Sequence, residues 1–334
     1  MKFFKLLFLV LLIGLQSCTG QIPKINGVSF VSANSKVTDA HVNPVVNVNA
    51  NYVAVMPFGF IRNLKHPEVI YNTQRQWFGE TAEGAKQYIG ELREKGIKIM
   101  LKPQIWVWRG EFTGFIEMDN EEDWKQLEIS YSKFILDYAM LGQQLNVDIL
   151  CIGTELERFI ANRPDYWLDL IKKIKAIYKG KLTYAANWDE FKRTPFWNEL
   201  DFIGVDAYFP VSDNKTPTFE ECMHGWNTHK NTIKGLSLKH HKPILFTEFG
   251  YRSVDYAGKE PWKSDRSMTH VNLEAQTNTT KALFETFWKE DWFAGGFVWK
   301  WFINHENSGG EENSRFTPQN KPAEEIIKQY YKTN

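Results

Sequence analysis

The chain carries no excess of charge of either sign, since forty Lys and Arg are matched by forty Asp and Glu across its 334 residues. Proteins that grip a nucleic-acid backbone or an anionic membrane face concentrate basic residues, so no nucleic acid is expected as a partner and a neutral ligand is favoured. Cysteine is scarce: Cys18, Cys151 and Cys222 stand in no metal-binding spacing and do not suggest a disulfide framework. The chain lacks a Walker-type loop, a His-Glu-x-x-His pair and a Gly-rich phosphate turn after its first apolar run. Those absences remove the common signatures of nucleotide, zinc-hydrolase and dinucleotide chemistry. His66 and the pair His240-His241 read as solvated, so neither a metal nor a cofactor is expected. There is no low-complexity tract, no strong repeat and no internal linker.

Long apolar runs are also missing, except at the N-terminus. Lys2 and Lys5 precede an apolar stretch from Leu6 to Leu15, too short to span a bilayer and shaped like an export signal occupying residues 1–20. Leu15-Gln16-Ser17-Cys18 resembles the lipobox of bacterial lipoproteins, which implies lipidation at Cys18, although Gln16 is less usual there than a small residue. The competing reading is ordinary cleavage near Gln21. The expectation is an exported protein anchored in the membrane only by lipid, in the periplasm or at the cell surface, with residues 21–334 forming one monomeric domain.

What the chain has in quantity is aromatic residues, 15% of the total with thirteen Trp. Flat rings with a polar edge suit sugar stacking, but more often they fill cores. Apolar periodicity then organises the chain. Short runs at Gly27–Val31, Tyr52–Phe58, Ile97–Lys102, Ile149–Thr154, Leu182–Ala186, Phe202–Tyr208, Pro243–Glu248 and Gly295–Trp301 read as buried strands. Helical spacing fills most of the intervals, as in Trp124, Leu127, Tyr131, Phe134, Ile135 and Tyr138, or Trp167, Leu170, Ile171 and Ile174 after Pro164. Gly59–Gln76 reads as a long loop and the Asn-rich stretch before Tyr52 as a connection. Some eight strand–helix units in a chain of this length predict an α/β fold, a single (β/α)8 TIM barrel, which takes about 250 residues plus insertions. A doubly wound sheet is the competitor.

Two of these strands end on a carboxylate, Glu155 after Ile149–Thr154 and Glu248 after Pro243–Thr247. A carboxylate at the C-terminal end of a buried parallel strand reads as catalytic, and a pair from different strands is what glycoside hydrolysis requires. The bland reading of Glu155 is a surface ion pair with Arg158 or Arg163. Glu157 either forms a salt bridge or binds sugar. Lys102, Trp106, Asn187 and Trp188 also stand at or just past strand C-termini and are candidate substrate contacts, with core or surface packing as the alternative.

Cys151-Ile152-Gly153-Thr154-Glu155-Leu156-Glu157, Thr247-Glu248-Phe249-Gly250-Tyr251 and Gly295-Gly296-Phe297-Val298-Trp299-Lys300-Trp301 resemble family 113 of the glycoside hydrolases, a β-mannanase family of clan A. The resemblance spans about residues 27–331. It implies retaining hydrolysis of β-1,4-mannosidic bonds in a neutral polysaccharide or oligosaccharide, with Glu155 as acid/base and Glu248 as nucleophile. It further implies that Tyr208 hydrogen-bonds the nucleophile and that Trp299 stacks beneath the sugar. One departure stands out: Thr154 occupies the place where many clan members carry an Asn that reaches the sugar 2-hydroxyl. Other β-glycans remain open as substrates, as does a catalytically silent glycan-binding lipoprotein, although a pure binder has no need of two strand-end carboxylates. Retention requires carboxyl groups about 5–5.5 Å apart, whereas inversion requires about 6.5–9.5 Å.

Overall fold

A computed structural model describes residues 23–265 and 267–333. The export-signal reading and Cys18 lie outside the described residues. In chain order the strands are β1 (Ile25–Phe30), β2 (Tyr52–Val55), β3 (Phe58–Ile61), β4 (Ile70–Tyr71), β5 (Lys98–Leu101), β6 (Gln104–Val107), β7 (Ile149–Thr154), β8 (Lys181–Asn187), β9 (Ile203–Asp206), β10 (Ile244–Phe249) and β11 (Phe293–Trp301). All but β3, β4 and β6 form one closed parallel barrel of eight strands, in which β11 returns to pair with β1. The helices are α1 (Asp39–Asn47), α2 (Ala82–Glu94), α3 (Glu121–Gln144), α4 (Glu157–Asn162), α5 (Pro164–Ile177), α6 (Phe219–His240), α7 (Leu273–Phe287) and α8 (Pro322–Thr333). The fold is a single (β/α)8 barrel. Among the described residues no helix is long and apolar enough to cross a membrane.

Helix starts follow local chemistry. Thr81, Asn120, Thr218 and Asn272 each accept a backbone N–H of the first turn of α2, α3, α6 and α7, and Pro164 opens α5. Three stretches differ from expectation. The Asn-rich connection contains α1, whose buried apolar positions are only Val42 and Val45, too few to establish a period. The run Tyr52–Phe58 breaks at Pro57, whose ring nitrogen cannot donate to a ladder. Beyond it, β3 leaves the barrel and pairs with β4 and β6 in a small sheet, so Gly59–Gln76 is not all loop. Between β8 and β9 the crossover is a single 3-10 turn at Trp197–Glu199 in place of an α-helix.

The core has two layers. Strand residues such as Ile25, Ala54, Met56, Met100, Ile149, Cys151, Ala185, Leu245 and Phe297 fill the barrel interior, and a larger apolar cluster lies between strands and helices. Phe297 occupies room that Gly27 leaves free, because a Cβ there would stand 2.3 Å from its ring. This packed interior closes the bottom of the barrel. Polar chemistry begins where the inward positions reach the strand C-termini.

Candidate active site

The inward face of β7 runs Ile149, Cys151 and then changes phase. The ladder to β8 shifts register between Cys151 and Thr154. Gly153 faces the outer layer, where an added Cβ would meet Trp167 and Tyr184. The consecutive residues Thr154 and Glu155 therefore both line the barrel mouth. Such an irregularity re-aims side chains beside an active site. Glu155 has φ 51°, a left-handed conformation uncommon for a residue with a Cβ. Two bonds hold it there: Glu155 N–H donates to Ala185 O at 2.8 Å, and the next amide, of Leu156, donates to the Tyr184 hydroxyl at 2.6 Å. Tyr184 donates onward to buried Glu190 Oε1 at 2.7 Å, and Asn187 N–H donates to Glu190 Oε2 at 3.0 Å. This relay ties the end of β7 to the end of β8.

A second irregularity delivers Glu248. Ile244 and Phe246 face the outer layer and Leu245 the interior, so strict alternation would turn Glu248 outward. The register of β10 slips after Phe246 on both neighbouring strands, and Thr247 and Glu248 both reach polar partners inside the barrel. Glu248 Oε1 accepts from Lys102 Nζ at 2.5 Å and from Gln104 Nε2 at 3.0 Å, while Oε2 accepts from the Tyr208 hydroxyl at 2.7 Å. Three donors thus converge on a group that, when ionised, only accepts. Lys102 Nζ also lies 3.3 Å from Asp206 Oδ1, which accepts from the Thr247 hydroxyl at 2.7 Å.

The charge count explains the electrostatics. Lys102 is the ammonium that ion-pairs with Asp206 and Glu248 and acts on Glu155, while Lys300 adds a weaker interaction with Glu248 alone. Burial raises the Glu155 carboxyl well above the ordinary range; the charges of Asp206, Glu248 and Glu190 raise it further, and Lys102 only partly opposes them. Burial and then the Glu248 charge likewise raise Asp206, against the pull of Lys102 and Thr247. Burial pushes Glu190 up to about 8, although the Asn187 amide and the Tyr184 hydroxyl favour its ionised form. For Lys102, burial alone lowers the pKa, but Asp206 and Glu248 outweigh it and the ammonium is held firmly. Tyr208, raised by burial and the neighbouring carboxylates, remains a hydroxyl donor.

A cavity of about 610 Å³ opens over this cluster, walled by Trp106, Asn187, Trp188, Tyr208, Trp299 and both glutamates among others. Trp188 stacks on Trp262 with ring centroids 5.1 Å apart, making a flat aromatic wall. Trp299 is half-buried against the interior apolar layer, and Trp106 is 49% exposed. The cavity thus gathers seven of the nine residues singled out from the sequence as catalytic or substrate-binding. The other two, Lys102 and Glu157, lie outside the cavity wall. Lys102 is wholly buried and pairs with Glu248 and Asp206 beneath the cavity. Glu157 starts α4, pairs with Arg193 and does not line the cavity. The surface ion-pair reading of Glu155 also fails: Arg158 pairs with Glu117, and Arg163 with Glu121 and Glu128. Sequence reasoning missed Gln104, Asp206, Tyr184 and Glu190. Asp206 and Gln104 do stand at strand ends, a signal that was present; Glu190 follows β8 in a connection and carried none. Among the described residues no cluster of His, Cys, Asp and Glu suits a metal ion.

The model of Glycoside Hydrolase Family 113 matches residues 32–321. The fold is similar to the family 113 β-mannanase of Alicyclobacillus acidocaldarius in complex with ManMIm, with a TM-score of 0.80 at 22% identity, over 92% of this chain and 97% of that one. A structure described as a complex of a family 113 β-1,4-mannanase gives 0.81 at 22% identity, over 93% and 99%. The β-glucuronidase of Ruminococcus gnavus is more distant, at 0.62 and 14% identity over 92% of this chain and 50% of that one. No curated protein matches.

Proposed function

The chain belongs to Glycoside Hydrolase Family 113, and from that premise we propose that it cleaves β-1,4-mannosidic bonds in mannan or manno-oligosaccharides with retention of configuration. It is a glycoside hydrolase, so its substrate is a polysaccharide or oligosaccharide. In the proposed mechanism, Glu155 gives its proton to the glycosidic oxygen while a Glu248 oxygen attacks the anomeric carbon, breaking the bond to the leaving sugar and forming a glycosyl ester. Water then attacks the same carbon, Glu155 takes its proton, and Glu248 leaves as carboxylate. The observation that carries this reading is the asymmetry of the two carboxyl groups. Glu248 is fixed by donors on both oxygens, as suits a nucleophile, whereas Glu155 faces the same cavity with its neutral form favoured, as suits an acid. The mannan assignment draws on the family and on the naming of solved members as β-1,4-mannanases. We also propose export and lipid anchoring through Cys18.

The test incubates purified protein with β-mannan, cellulose and xylan, identifies the products, and follows the anomeric proton of the first product by NMR. Faster cleavage of mannan, with the β-anomer released first, is expected. Activity confined to glucan or xylan would reject the substrate, and initial release of the α-anomer would reject the double displacement.

A further inference from the structure

We propose that a second groove, next to the active-site cavity on the small sheet of β3, β4 and β6, is a distal binding site for the glycan chain that threads the cavity. The groove encloses about 640 Å³ and is lined by Phe60, Arg62, Arg75, Trp77 and Trp108 among others. Trp77 is 53% exposed and Trp108 66% exposed. Large apolar rings left in water within one concavity signal a binding surface. The Arg62 and Arg75 side chains form no ion pair or hydrogen bond among the described residues, and their guanidinium groups can donate to a ligand. Aromatic platforms beside uncommitted donors match the two kinds of surface on a hexose, its C–H face and its hydroxyl rim.

Continuity identifies the occupant. Trp106 lines the active-site cavity, and Trp108, two residues further along the same segment, lines the groove. Phe60, paired in register with Trp106 across β3 and β6, also lines the groove. A single strand segment therefore borders both concavities. The groove is also held in shape. Gln76 Nε2 donates to Phe58 O at 2.9 Å, Thr73 N–H donates to Gln76 Oε1 at 2.9 Å, and Trp77 N–H donates to Glu80 at 3.0 Å. Little ordering of the chain is then needed on binding. The inference rests on the proposal that the cavity cleaves an extended neutral glycan.

The experiment compares wild type with Trp77→Ala and Trp108→Ala on polymeric β-1,4-mannan and on mannotriose, the short substrate expected to engage the cavity alone. Both rings are exposed and stand apart from Glu155 and Glu248, so the variants are expected to fold and to keep wild-type kcat/KM on the trisaccharide. On the polymer kcat/KM should fall about tenfold, through KM, and migration should be less retarded in a native gel containing the polymer. Equal losses on both substrates, or no loss on either, would overturn the proposal. If product analysis assigns another β-glycan, the comparison runs on that polymer and its trisaccharide, so a wrong glycan does not decide the fate of the groove.

Discussion

Replacing Lys102 by Met keeps a long unbranched side chain but removes the ammonium that pairs with both Glu248 and Asp206 beneath the active site. Its Nζ lies 2.5 Å from Glu248 and 3.3 Å from Asp206, and the three side chains are 0%, 8% and 1% exposed. Breaking a buried pair by deleting one partner costs about 3–5 kcal/mol, because the remaining charge is left uncompensated. Here two carboxylates lose the same partner, so the upper part of that range applies. Total stabilities are only about 5–15 kcal/mol, and such a loss should be plain in urea unfolding followed by Trp fluorescence, as a lower midpoint at similar slope. Activity should fall as well, since Glu248 Oε1 retains only Gln104 as donor; displacement of a reacting group by about 1 Å can reduce the rate on the order of 10²-fold. Adding Asp206→Asn removes one stranded carboxylate and should recover about 1–3 kcal/mol of stability, a coupling typical of groups in one network, without restoring turnover. Unchanged stability of Lys102→Met, or simple addition of the two single effects, would refute the shared-ammonium account.

In the proposed mechanism Glu155, its pKa raised by burial and neighbouring carboxylates, is the acid, so on a substrate with a poor leaving group kcat/KM should fall as pH rises through that pKa and the proton is lost. Glu155→Ala should remove this alkaline limb, and with an activated aryl glycoside added azide should yield a glycosyl azide of retained configuration; an inverted azide would reverse the roles of the two glutamates. Cys18→Ala should release the protein from the membrane fraction or stall its processing, and a soluble wild-type protein beginning near Gln21 would exclude lipidation.

Much of the barrel was legible because its strands are short continuous apolar runs and its helices carry long apolar stripes, signals that reside in neighbouring residues. The same locality explains the misses. Helix α1 buries only Val42 and Val45, and the small sheet is built from four-residue and two-residue strands that depend on partners over forty positions away for β3 and β6. Glu155 and Glu248 stood out as carboxylates ending apolar runs, and the family motifs supported the pairing.

The sequence by itself therefore determined the eight barrel strands, which two of them carry a glutamate at the end of an apolar run, and which aromatic residues stand near strand ends. Tertiary structure decided where those side chains point. Alternation assigns faces only while the ladder keeps its register, and the slips in β7 and β10 turn Thr154 with Glu155, and Thr247 with Glu248, into the barrel mouth. It also decided that Lys102 lies beneath the site, because its partner Glu248 is 146 positions away and only barrel closure brings them together. Glu157, two residues from Glu155, went instead to Arg193, since α4 begins there and carries it out of the cavity wall.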